Sequence, residues 1–545
     1  MLQRSDNYAE LASRFCWQIP ERFNIGVSVS DAWARREPNR VALIEYRGEE
    51  QPGTLTFGAL AERSNAFANA LRARGVRRGD RVALLLPQSF ETAIAHIAIY
   101  KLGTIAVPLA LLFGAEALEY RLQTAGVRAI ITNAAGLAKI SRISPRLPFL
   151  ELVVSVDGRD GRALGFEALV AGASTSFQPE DTTPDDPAMM IFTSGTTGPP
   201  KGALHGHRVL LGHLPGLQMA YEFLPQAGDL MWTPADWAWA GGLLNALLPS
   251  LYLGIPVVCA RFEKFDPEAA LLLVERMKVR NAFIPPTALR MLKSVPDIPK
   301  RFSHVLRSVG SAGESLGRET WEWAEGALGL PVNEFYGQTE CNAVIASSAI
   351  VGVSRPGTIG RAVPGHTVAI IDADGRPMPA GEPGQIAVLR PDPVMFLEYW
   401  DSPEATAKKF IGDWMTTGDQ GIMDADGYIQ FFGRDDDVIT SAGYRIGPGE
   451  IEDCLVGHPS VALAAAVGKP DALRTEIVKA YVVLKDGVTP SEALKGEISA
   501  FVRERLSAHE YPREVEFVDS MPLTTTGKVI RRIFRDRARR EAENG

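Results

Sequence analysis

The run Thr193-Ser194-Gly195-Thr196-Thr197-Gly198-Pro199-Pro200-Lys201-Gly202 alternates small hydroxyl residues with glycine and leads to a lysine. Glycine lets backbone N–H groups approach an anion closely, while hydroxyls and a lysine add donors and positive charge. Those groups together suit a polyphosphate. An isolated Gly/Ser/Thr/Pro stretch would read as a surface loop. This one follows the apolar run Ala188-Met189-Met190-Ile191-Phe192, which predicts a buried strand delivering the loop to a site. It is not the GxxxxGK[ST] loop, because Lys201 is followed by Gly202 rather than by Ser or Thr.

The T-S-G-T-T-G-x-P-K-G pattern resembles the signature of the adenylate-forming enzymes: acyl-CoA synthetases, nonribosomal peptide synthetase adenylation domains and luciferases. Further motifs follow in the family's order over nearly the whole chain. The resemblance implies ATP, Mg²⁺ and coenzyme A as reactants and cofactor, with residues 193–198 and Lys201 around the phosphates. The segment Asn333-Glu334-Phe335-Tyr336-Gly337-Gln338-Thr339-Glu340 resembles the Y-G-x-T-E motif. Carried over, Tyr336 stacks on adenine beside Gly337, Thr339 contacts phosphate, and Glu340 holds Mg²⁺, a hard cation suited to carboxylate and phosphate oxygens. Ser311-Ala312-Gly313-Glu314-Ser315 matches the segment lining the adenine and acyl pockets, which assigns Gly313, Glu314 and Ser315 to the nucleotide. Asp419, in Thr416-Thr417-Gly418-Asp419, corresponds to the aspartate that accepts from both ribose hydroxyls, where an anionic acceptor makes the stronger bonds. Arg434 is the second ribose contact implied.

The same resemblance places a hinge at Asp436, about which a C-terminal domain rotates between adenylation and thioester formation. Gly443 would line the pantetheine tunnel, Arg445 would meet phosphate, and Arg503 would lie near the CoA 3′-phosphate. In Pro522-Leu523-Thr524-Thr525-Thr526-Gly527-Lys528, the last motif, Lys528 is the implied catalytic lysine. Its task is to bridge the attacking carboxylate and the α-phosphate as charge develops. This context also resembles the one acetylated in bacterial acyl-CoA synthetases, implying a lysine acetyltransferase and deacetylase acting on Lys528.

Substrate size is read from side-chain size. In acetate-specific relatives a tryptophan precedes the Gln of Q-T-E and caps the acyl pocket; here that position is Gly337. Three further pocket positions align with Ala240, Gly241 and Ala312, with Trp239 at the wall. Four small residues predict room beyond a methyl group, and each buried methylene contributes about 0.8 kcal/mol. The expected acid is therefore medium-chain or branched, with an aryl acid or an acyl-AMP ligase loading a carrier protein as the alternatives. A tryptophan at Gly337 is expected to refill the pocket and shift preference towards acetate. Trp232 reads as core. No serine-bearing carrier module follows Gly545, so free CoA is the expected acceptor. A non-catalytic nucleotide sensor is disfavoured by Lys528, Glu340 and Asp419 occurring together.

Elements able to hold these groups are legible in the apolar pattern. Residues 82–86, 129–131 and 255–258 read as strands, while 60–74, 90–102 and 267–278 read as helices. This alternation predicts layered parallel α/β subdomains. Asp372-Ala373-Asp374-Gly375 and Asp424-Ala425-Asp426-Gly427 are turn signals that predict a β-rich subdomain. The expected fold is a large N-terminal domain over 1–434 and a small mobile α+β domain over 435–545, the boundary lying at the acidic run Asp435-Asp436-Asp437. A chain of 545 residues is too long for one core.

The net charge of -8 argues against nucleic acid as a partner. Four scattered cysteines without a CxxC pair indicate neither zinc nor a disulfide framework. The run 241–259 is interrupted by Asn245, Pro249, Ser250 and Pro256, so it predicts a buried helix-turn-strand rather than a membrane span. The first 25 residues carry Asp6, Glu10 and Glu21 and lack a continuous apolar stretch, so a cytoplasmic location is expected. Oligomeric state is not legible.

Lys528→Ala is expected to slow adenylation several hundred-fold, the effect of losing about 3–4 kcal/mol of preorganised charge. Thioester formation from supplied acyl-AMP should be much less affected. Single-turnover assays of each half-reaction check this; equal losses in a folded variant would contradict the role.

Overall fold

The computed structural model describes all residues except 194–198, 263, 435–436, 442–443, 472–473, 507–510, 525–528 and 545, and also omits the side chains of 444, 445 and 544. Among these residues the chain forms four sheets. The first has Arg81–Leu85 at its centre, with Ile105–Pro108 and Ala129–Thr132 parallel on either side, continuing to Pro187–Thr193 and Leu152–Ser155. These strands are buried on both faces, as parallel strands between helices must be, which is why they read as continuous apolar runs. The covering helices are amphipathic or wholly buried; Phe57–Ala73 starts at Thr56, whose hydroxyl accepts from the Ala59 amide, and Phe90–Lys101 starts in the same way at Ser89.

The second sheet runs in parallel through Val41–Glu45, Val257–Cys259, Met231–Trp232, Asn281–Phe283, Ser308–Ser311 and Val332–Gln338. Cys341–Ala346 closes it as an antiparallel hairpin with Val332–Gln338. The run predicted as helix-turn-strand contains helical turns over Ala240–Gly242, Leu243–Leu247 and Leu248–Tyr252, then the strand Val257–Cys259. Trp232 is core, 1% exposed. No described helix is long and apolar enough to cross a membrane.

The third sheet is antiparallel, built from Val368–Ile371, Pro383–Leu389, Trp414–Met423, Phe410–Ile411 and Ile429–Arg434. Both acidic turn signals behave as Asx turns: the Asp372 carboxylate accepts from the Asp374 and Arg376 amides, and the Asp424 carboxylate accepts from those of Asp426 and Tyr428. The fourth sheet comprises Tyr444–Ile446, Ile439–Ser441, Thr475–Leu484, Val461–Asp471 and Glu514–Phe517. It carries its own apolar clusters around Ile451, Ala480 and Ile498, and around Tyr481 and Phe534.

A helix-end contact is among those that tie this last unit to the rest. The helix Arg318–Leu328 begins at Gly317, and its N-cap supplies no side-chain hydrogen bond. Asp453, from the helix Pro448–Val456, provides the missing acceptor: its Oδ2 takes the Glu319 amide at 3.2 Å. Gly317 has φ +78° and an added Cβ would overlap the Asp453 carboxylate, so position 317 requires glycine twice over. Burial pushes the Asp453 carboxyl up from 3.8 to about 6, opposed by the hydrogen bond from the Glu319 amide and by Arg290 and Lys293, with the Glu319 carboxylate adding to the rise. The docked form therefore holds its proton more tightly than the undocked one. Its contribution to docking is complete below about pH 4 and is lost as pH rises through about 6. The protection factor of the Glu319 amide, taken against the intrinsic base-catalysed exchange rate at each pH, should accordingly be higher at pH 5.5 than at pH 8. Asp453→Asn should flatten that dependence, and Gly317→Ala should speed exchange at both pH values.

Candidate active site

The expected phosphate loop joins two strands of one hairpin, in which Thr193 pairs with Lys201 and Phe192 with Gly202. Ser194, Gly195, Thr196, Thr197 and Gly198 lie outside the described residues, but the stem is fixed from several directions. Tyr120 donates its hydroxyl to Pro200 O at 3.0 Å, and the Trp400 amide donates to Gly202 O at 2.7 Å. Glu398–Tyr399 adds a short strand along the same edge. Tyr399 then links two functions: Lys201 Nζ lies 5.3 Å from its ring centroid, and its hydroxyl donates to Glu340 Oε1.

Glu340 sits with Thr339 in the turn between Val332–Gln338 and Cys341–Ala346. It is buried, 7% exposed, and its backbone carbonyl accepts from the Phe396 amide at 2.7 Å. On the strand before the turn, alternate residues Tyr336 and Gln338 reach the third sheet. Tyr336 donates its hydroxyl to Asp419 Oδ2 at 2.5 Å, and Gln338 Nε2 donates to the same oxygen at 2.8 Å and to Thr417 O at 2.6 Å. Asp419 pairs in register with Arg434, whose Nη1 is 3.8 Å from Asp419 Oδ1. Burial raises the Asp419 carboxyl above its ordinary range; Arg434, the Tyr336 and Gln338 hydrogen bonds, and Lys409 oppose that rise. Burial lowers Lys409, opposed by Glu340 and Asp419.

Gly313 follows the strand Ser308–Ser311 at φ +104°. The Glu314 carboxylate is taken up by the scaffold: it accepts from the Thr287 amide at 2.8 Å, from the Thr287 hydroxyl, and from Arg290 at 3.3 Å. Arg290 also donates to Ser315 O at 2.8 Å. This segment is therefore pinned to the helix Pro286–Leu292 by its own side chain.

Neither acyl-side glycine borders open space where its Cβ would stand. Gly337 is small because backbone occupies the space beside it. An added Cβ would lie 2.5 Å from both the Ala343 nitrogen and the Asn342 Cα, where the ladder shifts register between Tyr336 and Gln338. An indole there cannot simply refill a pocket; it must first push the hairpin apart. At Gly241 an added Cβ would lie 2.9 Å from Phe283 Cε1, so a ring already uses that volume. Phe283 in turn stands 5.7 Å from Phe335, centroid to centroid. Ala312 is buried, Ala240 is half-buried, and Trp239 packs edge-on to Phe113 with centroids 5.6 Å apart.

A family model described as AMP-binding enzyme matches residues 30–400, and one for the AMP-binding enzyme C-terminal domain matches 450–528. The chain belongs to the AMP-binding, adenylate-forming enzymes. Acyl-coenzyme A synthetase ACSM2, mitochondrial, of Rattus norvegicus is 35% identical over 94% of this chain and 91% of its own length. The acetyl-coenzyme A synthetase of Bacillus subtilis (strain 168) is 33% identical over 91% of this chain and 87% of its own. Among solved structures, the anthranilate CoA ligase AuaEII with anthranoyl-AMP superposes with a TM-score of 0.87 at 30% identity, covering 96% of this chain and 99% of that one. As a member of this family the chain is an AMP-forming ligase.

Of the family positions expected from sequence, the structure brings Tyr336, Glu340, Asp419, Arg434 and the stem at Lys201 around one locus. Asp436, Gly443 and Lys528, and the side chain of Arg445, lie outside the described residues. Arg503 is exposed on the helix Glu492–Arg505, over the Tyr511 ring at 5.3 Å. Three residues at this locus escaped sequence reasoning: Gln338, Lys409 and Tyr399. Lys408-Lys409 looks like a solvated pair of charges, and Tyr399 like one aromatic among several in a loop. The only signal was position, with Gln338 inside the Y-G-x-T-E motif and Lys409 shortly before T-G-D.

Gly337→Ala is expected to lower Tm and to reduce turnover equally for every acid tested. Overpacking against backbone costs about 1–3 kcal/mol. Calorimetry and kcat/KM for a two-carbon and a six-carbon acid check this; a change confined to the longer acid would restore the pocket reading.

Proposed function

We propose that the protein is an ATP-dependent acyl-CoA synthetase acting on an acid larger than acetate, a medium-chain or branched fatty acid. The observation that carries the nucleotide half of this reading is the convergence of Tyr336 and Gln338 on the buried Asp419, with Glu340 one turn away and the Lys201 stem beside it. Asp419 Oδ1, which neither Tyr336 nor Gln338 takes and which Arg434 Nη1 approaches at 3.8 Å, is the oxygen this reading gives to the ribose hydroxyls, and Tyr336 presents a ring, 6.3 Å from Phe431, against which adenine stacks. In the first half-reaction a carboxylate oxygen of the acid attacks the α-phosphorus, the bond to the β-phosphate breaks, and pyrophosphate leaves. In the second, the CoA sulfur attacks the acyl carbon, the bond to the phosphate oxygen breaks, and AMP leaves as the thiol gives up its proton.

Magnesium fits what is present. Among the described residues no group of three or more metal-ligating side chains occurs, and a single buried carboxylate, Glu340, stands near the phosphate-loop stem. Mg²⁺ characteristically takes one or two carboxylates plus substrate phosphates and retains water. When bound it supplies charge neutralisation to the phosphates; Tyr399 orients the carboxylate by donating to Oε1.

Lys528 as catalytic residue, Asp436 as hinge at a 434/435 boundary, and Gly443, Arg445 and Arg503 at the CoA belong to this reading by family position. Support for a mobile C-terminal unit comes from its separate sheet and separate apolar clusters. Acetylation of Lys528 by a lysine acetyltransferase would remove the charge that adenylation uses. The four cysteines are free, in keeping with a reducing, cytoplasmic setting.

An aryl acid is the second reading. The Phe283 and Phe335 rings behind Gly241 favour it, and the solved anthranilate and benzoate CoA ligases are similar in fold. Pyrophosphate and thioester should be measured separately with hexanoate, isobutyrate, benzoate and acetate. Hexanoate or isobutyrate is expected to exceed acetate in kcat/KM by more than tenfold, at about 1–3 kcal/mol per methylene. Benzoate exceeding both would install the aryl reading, and pyrophosphate release without thioester would point to a carrier-protein acceptor.

A further inference from the structure

We propose that Lys409 is a positioning residue for the nucleotide ribose, acting through Gln338 on Asp419. This rests on the reading of Asp419 as the ribose acceptor. Lys409 Nζ donates to Gln338 Oε1 at 3.1 Å and lies 3.5 Å from Thr417 O. At the other end of the same amide, Nε2 donates to Asp419 Oδ2 and Thr417 O. An amide can usually be flipped without visible penalty, but not here. An ammonium can only donate, while an ionised carboxylate and a backbone carbonyl can only accept. All three neighbours thus demand the same orientation, with the carbonyl end towards Lys409.

The lysine is itself held firmly. Its backbone carbonyl accepts from the Thr416 amide at 2.8 Å and from the Thr416 hydroxyl at 3.0 Å, and the next residues, Phe410–Ile411, pair with the strand that carries Asp419. The ammonium also faces both Glu340 and Asp419, so it moderates the repulsion between the two site carboxylates. Removing it orphans the Gln338 carbonyl in a half-buried position and leaves the amide anchored only at its nitrogen, by Asp419 Oδ2 and Thr417 O, so the donor at Oδ2 is held less firmly. The remaining edge of the carboxylate then no longer points consistently to where ribose hydroxyls arrive.

The test compares ATP with 2′,3′-dideoxy-ATP in pyrophosphate release at saturating acid. It uses the full chain, Lys409→Met, Lys409→Arg and Gln338→Met. The unaltered protein should prefer ATP strongly. Lys409→Met should lower kcat/KM for ATP by about tenfold or more while changing the dideoxy value much less, so the preference collapses. Lys409→Arg should recover a large part of it. Gln338→Met, which leaves the lysine in place and breaks the relay, should show the same collapse, and it decides the matter should Lys409→Met not fold. An equal fall for both nucleotides, or an intact preference in Gln338→Met, would overturn the proposal. Absence of any preference in the unaltered protein would remove the ribose reading of Asp419 instead, and the proposal with it.

Discussion

The site depends on one carboxylate that the fold takes out of water. Asp419 is 5% exposed, and a lone carboxylate in that position would be costly enough to prefer its proton. It remains useful as an acceptor because a phenol, an amide, a guanidinium and an ammonium surround it, drawn from three segments. Tyr336 and Gln338 come from the last parallel strand of the second sheet, Arg434 from the edge of the antiparallel sheet, and Lys409 from the turn before Asp419's own strand. The two sheets are therefore joined by the same hydrogen bonds that prepare the proposed ribose acceptor. Positioning of the two layers and preparation of the acceptor are a single event.

Around that point the scaffold works by close approach. Gly337 brings one hairpin strand against the backbone of its partner, and Tyr399 bridges the phosphate-loop stem to Glu340. Glu314 is consumed in holding its loop to the helix that begins at Pro286. Side chains that sequence resemblance assigns to a ligand thus divide into two kinds. Asp419, Tyr336 and Glu340 present atoms towards the locus, whereas Glu314 and Gly337 shape the wall from behind.

Much of this was readable in advance. Continuous apolar runs such as Val82-Ala83-Leu84-Leu85 mark parallel strands because both faces are covered, and the Asp-x-Asp-Gly pairs mark turns because the first carboxylate caps the loop itself. Family membership was legible because glycine, hydroxyl and acid at fixed spacing serve few other ends. Pocket size was not. A small residue can leave space or can admit a neighbour, and only three-dimensional placement distinguishes Gly241 with Phe283 against it from an open wall. Lys409 was illegible for a related reason, since a lysine's role follows from what stands at the end of a long flexible stem. Trp232 could be assigned to the core because a tryptophan on a buried strand has little else to do.

The Asp453 carboxylate at the start of the Arg318–Leu328 helix has a consequence for inheritance. Position 317 accepts the carboxylate only when it is glycine, and that helix start receives a side-chain acceptor only when position 453 supplies one. The two positions lie on opposite sides of the family's domain junction, so they form a matched pair that recombination at the junction separates. Any hybrid that takes its C-terminal unit from a relative must receive both halves or neither. An otherwise compatible graft carrying a larger residue at 453, or any side chain at 317, would meet a closed seat where this chain has an open one.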